Sequence, residues 1–232
     1  MTFTGKADDH ERNHDNVLEE YNAFMLHVKM RLTAFSDSIN ELESNPQHPD
    51  IWKNFEFCYL QLRKICECVA LATLTCHRHL MQENVQTLES EWHAKNILKA
   101  LLRDRPGCFP IAVRFEPDAD TGCRHLAPID EALSFKDFSE IYGRIGSRLH
   151  VRELRKILKN KLDPFELTEL KGWHQSIVSL LNCHMIQLFE NGAVLVAFLH
   201  IGDERTVECW WAEANGPFMA GGRIYGLPVD DE

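Results

Sequence analysis

Residues 16–42 read NVLEEYNAFMLHVKMRLTAFSDSINEL, and this stretch decides the fold. Its apolar positions are Leu18, Tyr21, Met25, Val28, Leu32, Phe35, Ile39 and Leu42. The steps alternate between three and four residues, a heptad seam of the kind a long helix lays lengthwise on another. Asn16 and Glu19 stand at capping-box spacing, so the helix is expected to start there. Ser44-Asn45-Pro46 ends it. The seam has two readings, a helix of an intramolecular bundle or a dimer contact, and a homodimer is the expected state.

Working outward, residues 1–14 are polar and read as a disordered arm. Downstream, Asp50 to Leu80 is apolar nearly all round (Trp52, Phe55, Cys58, Tyr59, Leu62, Ile65, Val69, Ala72), as a helix in the middle of a bundle would be. A third helix is expected from Thr87 to Arg103, stopped by Pro106-Gly107. Phe109–Phe115 and Arg124–Ile129 read as a small inserted hairpin. Helical periodicity resumes at Ser134, with Ser134 to Asp137 as cap and Phe135, Phe138, Ile141, Tyr142, Ile145 and Leu149 as the buried stripe. A shorter helix, Val151 to Lys159, and another from Pro164 to Leu181 follow.

The last quarter changes character. His184–Phe189, Ala193–Ile201 and Thr206–Ala214 read as strands, joined by Asn191-Gly192 and Gly202-Asp203 turns. Trp210 and Trp211 send one indole to each face. The tail from Asn215 reads as extended. The expected fold is therefore α+β and mainly α: a helical bundle over residues 15–182 with a hairpin at 109–129, then a three-stranded antiparallel meander over 183–232.

The chain has 232 residues, with 25 Lys and Arg against 35 Asp and Glu, for a net charge of −10. That excludes a surface that coats polyanions everywhere. The distribution is uneven. Arg144, Arg148, Arg152, Arg155, Lys156, Lys159 and Lys161 face one acid, Glu153, a net +6 that leaves −16 for the rest. Such asymmetry points to a polyanion contact, the plain alternative being a solvated face paired with acids elsewhere.

The N-terminal residues lack an export signal and no apolar run approaches the ~20 residues of a membrane span, so a cytoplasmic protein without membrane contact is expected. The eight cysteines fit, since reduced Cys in apolar segments packs as a small hydrophobe. Cys66-x-Cys68 and Cys76-His77-x-His79 do not share a helix face, and Asp118-x-Asp120 with Gly122 lacks the later ligands of a calcium loop. No metal and no cofactor are expected.

Tyr142, Gly146 and His150 are spaced to share one helix face. His150 has the titration range of a general base, and Arg144 is a candidate anion clamp. Arg144, five residues and then His150 resembles the Arg-(four to six residues)-His signature of the HEPN superfamily. Leu62-Arg63-Lys64-Ile65-Cys66-Glu67 is similar to the Arg-x-x-x-Glu step of uncharacterised bacterial HEPN-like families. Those pair it with a Tyr-x-x-Leu-Ser-x-x-x-His helix, here Tyr142 to His150 with Ile145 and Gly146 in the Leu and Ser places. The resemblance covers about residues 15–160 and omits the meander.

The resemblance implies a helical bundle, commonly dimeric, that is either a metal-independent ribonuclease of a defence or toxin system or a non-catalytic binding module. For a nuclease it implies that His150 helps activate the ribose 2′-hydroxyl and Arg144 steadies the developing phosphate charge, with Tyr142 beside them. Ile145 stands where active nucleases usually carry a polar residue. Arg148, Arg152, Arg155, Lys156 and Lys159 are the candidate nucleic-acid contacts. Glu56, Arg63 and Glu67 fall on one stripe of the second helix. They form either its solvated face or an ionic line beneath the Tyr142 helix that orients His150.

Overall fold

The computed structural model describes residues 5–48, 51–78, 91, 93–104, 107–117, 124–149, 167–188, 193–213, 218–220 and 223–225, with the backbone alone for 5–15, 104, 117, 124, 212–213, 218–220 and 223–225. The described helices are α1 (Gly5–Ser44), α2 (Ile51–His77), α3 (Ala94–Asp104), α4 (Phe135–Leu149) and α5 (Leu167–Leu181). The chain is mainly helical α+β. Among the described residues no helix is long and apolar enough to cross a membrane.

The heptad seam is real, and it is consumed inside the chain. Tyr21, Met25, Val28, Leu32, Phe35, Ile39 and Leu42 are all buried, but the first position shifts: Val17 is buried in place of the expected Leu18, which is only half-buried against the core. They pack chiefly on α2, whose Phe55, Cys58, Tyr59, Leu62, Ile65, Cys66 and Val69 complete the joint. A seam sealed in this way is not available as a dimer contact. Residues 1–14 are not a disordered arm throughout. Helix α1 already begins at Gly5, eleven residues before the expected Asn16 cap. Lengthening a helix that already exists needs no new nucleus, and residues 6–15 contain neither Pro nor Gly to stop it.

The hairpin and the meander are not separate pieces. Strands β1 (Ile111–Pro117), β2 (Arg124–Pro128), β3 (Cys183–Gln187), β4 (Ala193–Phe198) and β5 (Glu208–Glu213) form one antiparallel sheet ordered β2-β1-β3-β4-β5. The join is short: Ile111 pairs with Met185 and Ala112 with His184. It relieves two strand edges that would otherwise leave backbone groups unpaired. The tail is not simply extended either. Strands β6 (Phe218–Ala220) and β7 (Arg223–Tyr225) pair with each other.

One sheet face meets the helices through Ala112, Ile186, Leu195, Ala197 and Trp211. The other carries a smaller cluster of Val113, Met185, Val194 and Val196. Phe198 borders that cluster, stacks on Phe115 and packs at a tilt against Trp210, both of which are exposed. The β4–β5 turn is held from α1. Lys29 Nζ donates to the carbonyls of His200, Asp203 and Arg205 at 2.8, 2.9 and 2.6 Å. Gly202 takes φ +83° there, a backbone state that favours glycine.

A buried polar contact ties the seam to the sheet. His184 donates through Nδ1 to the Leu181 carbonyl at 2.8 Å. Its Nε2 therefore accepts from the Tyr21 hydroxyl, 2.5 Å away. Burial pushes the His184 pKa down to about 4. The unfolded chain takes up a proton near pH 6.5 and the folded one resists it, so this stability is whole above pH 6.5 and drains as pH falls toward 4. Thermal melts from pH 7 to pH 4 should show that decline. Tyr21→Phe, which leaves Nε2 without a donor, should cost about 1–3 kcal/mol in urea unfolding at pH 7.

Candidate functional site

Helix α4 organises the candidate site. It starts where the sequence expects: the Ser134 amide and hydroxyl donate to the Asp137 carboxylate, and the Asp137 amide donates back to Ser134 Oγ at 3.2 Å. Phe138, Ile141, Tyr142, Ile145 and Gly146 face inward, while Gly143, Arg144 and Ser147 face outward. Tyr142 and Gly146 do share a face, and it is the buried one.

Beneath that face lies part of the ionic line. The Arg63 guanidinium sits 5.1 Å from the centroid of the Tyr142 ring. Its Nε donates to Glu67 Oε1 at 3.1 Å, and Lys64 Nζ donates to Glu67 Oε2 at 2.7 Å. The Arg63 and Glu67 side chains are 13% and 14% exposed, whereas Glu56 is exposed and stands apart from this contact. His93 packs edge-on against Tyr142 with ring centroids 5.1 Å apart. Burial raises the Tyr142 pKa, with Arg63 pulling the other way. Gly146 leaves room for the Arg63 side chain, for a Cβ there would stand 3.3 Å from Arg63 Nη1.

The outward face meets α5. Glu169, only 8% exposed, is held by Arg144 and by Arg148 Nη2 at 3.4 Å. The Arg144 guanidinium also lies over the Trp173 indole, 5.2 Å from its centroid. Its side chain is 60% exposed, so one edge reaches an open cleft of about 560 Å³ between α4 and α5. Glu131, Asp137 and Glu140 line the cleft with Trp173, Gln175 and Ser176. The chemistry there is mixed charge over an aromatic floor. Its acids repel phosphate, so an extended polyanion is better met away from the cleft.

Tyr142 and Arg144 thus occupy opposite faces of α4. His150, Arg152, Arg155, Lys156 and Lys159 lie outside the described residues. Glu169, Trp173 and His93 are site residues that sequence reasoning passed over. Glu169 carried a weak signal, since an acid in the first turn of a helix is ordinarily read as a complement to the helix dipole. Among the described residues no group of three or more metal-ligating side chains comes together. No family model, curated protein or solved structure matches the chain.

The two faces respond differently to bulk. Gly146→Leu must displace Arg63 from Tyr142 and Glu67, and should cost about 1–3 kcal/mol in urea unfolding. Gly143, where a Cβ would meet nothing within 4 Å, is the control. Gly143→Leu should be neutral, or stabilising by up to ~1 kcal/mol, from helix propensity.

Proposed function

We propose that the chain is a non-catalytic interaction module of regulatory or defence type, acting in the cytoplasm. It would engage RNA or another polyanion through the basic residues from Arg152 to Lys161, since Arg148, like Arg144, is engaged with Glu169. The observation that supports this best is the state of Arg144. A nuclease needs that guanidinium for the charge developing on phosphate, and here it is committed to Glu169 and stacked on Trp173. Tyr142 is turned into the core against Arg63 and His93. Ile145, where active nucleases carry a polar residue, is buried. A homodimer belongs to this proposal only on a surface other than the α1 seam.

The second reading is a HEPN-like, metal-independent ribonuclease. The exposed edge of Arg144 along an open cleft favours it. An RNA-cleavage assay in EDTA, with wild type beside His150→Ala, separates the two. The module should cleave in neither form. Cleavage by the wild type that vanishes in His150→Ala would overturn the module and establish the nuclease.

Polyanion binding has its own signature. Each phosphate contact neutralised by a cation lowers affinity with rising salt, with a slope of about −0.7 on a log–log plot for single strands. Binding of a single-stranded RNA should therefore weaken steeply between 50 and 200 mM salt, conditions taken as a typical range. Neutralising Arg152, Arg155 and Lys156 together should flatten that slope by about 2. A salt-independent affinity would contradict the assignment of the basic stretch.

A further inference from the structure

His77 closes α2 and is fully buried. Both ring nitrogens meet backbone carbonyls: Nδ1 lies 2.9 Å from the Thr73 oxygen and Nε2 lies 2.9 Å from the Gln187 oxygen. A carbonyl oxygen only accepts, and a neutral imidazole has a single N–H. In the neutral ring one of these contacts would therefore set a nitrogen lone pair against an oxygen lone pair. The doubly protonated ring supplies one N–H to each. His184 is the internal contrast, because its second nitrogen meets a hydroxyl that can donate, so it is satisfied while neutral.

The position suits a cation. The last turn of a helix presents unpaired carbonyls and the negative end of the macrodipole. Among the described residues, the titratable groups around this corner leave the charge in place. On α2, Arg78 pairs with Glu20 of α1, and the Cys76 thiol is held neutral by burial. Cys108 and Cys209 stand within electrostatic reach of Cys76 and are likewise pushed up by burial. Tyr21 of α1 and His184 of β3 are engaged with each other. The cations of α3, Lys95, Lys99 and Arg103, are exposed. Burial opposes any charge, and the two carbonyl bonds with the helix end offset it.

We infer that His77 is a buried imidazolium that pins the end of α2 to β3, a joint that loosens as pH rises. A folded-state pKa above the unfolded value of about 6.5 means the contribution is whole below pH 6.5. It is lost as pH climbs through the folded value. Deprotonation leaves one carbonyl facing a lone pair at the point where the helical layer meets the sheet.

Two measurements test this. In protein labelled with ¹⁵N at histidine, both ring nitrogens of His77 should carry protons at a pH about one unit above the free-histidine value. A single neutral tautomer there would overturn the inference, and this readout needs no variant. The second compares the wild type with His77→Gln between about pH 6.5 and 8, below the ordinary range of cysteine. The folded-to-unfolded ratio of the wild type should fall relative to the variant as pH rises, with a limiting slope of about tenfold per pH unit. Parallel curves would overturn it.

Discussion

The seam of α1 is the constraint on which the rest of the structure depends. It is one line of apolar side chains on a single helix, yet it fixes three neighbours. Leu32, Phe35 and the residues above and below them bury against α2. Phe35 also stacks on His174 of α5, with ring centroids 4.6 Å apart. Tyr21 reaches past α2 to His184 on β3. Burying eight such side chains contributes on the order of 1.5–3 kcal/mol each before chain entropy is charged against it. A slip of one residue in this helix would turn every one of those contacts away from its partner.

The candidate site inherits its geometry from that frame. Helix α2, fixed by the seam, offers Arg63 and Glu67 to the inner face of α4, and Gly146 leaves room there for the Arg63 guanidinium. With its inner face set, α4 must present Arg144 and Arg148 outward to Glu169 on α5. The basic stretch is therefore less free than its sequence implies. Its first two arginines share a buried carboxylate, and one covers an indole. An exposed ion pair contributes little, but Glu169 is sheltered and its loss would strand two guanidinium groups around an apolar floor.

Much of this was legible in the sequence where the signal is local. The three-four spacing from Tyr21 to Leu42 gave the seam, the Ser134 to Asp137 pattern gave the start of α4, and alternation with turn residues gave β3, β4 and β5 close to their bounds. Arg63 and Glu67, four residues apart on a buried helix, were legible as a pair. What failed was long-range or additive. Nothing local in Ile111 or Met185 announces that the hairpin joins the meander. Nor does any spacing show that Arg144 will find Glu169, since the two helices meet only through tertiary packing. Polar residues 5–15 read as an arm because they bury no obvious stripe, although an established helix extends through such a segment at little cost.

The central claim is that Arg144 is a structural partner of Glu169, not a free clamp for substrate phosphate. A double-mutant cycle in urea unfolding tests it most directly, using Arg144→Met, Glu169→Gln and the pair. Contact between the two side chains predicts a coupling energy of about 1 kcal/mol, with the single variants costing more in sum than the double. Strictly additive effects would contradict it, and would return Arg144 to the solvent as a group available for chemistry.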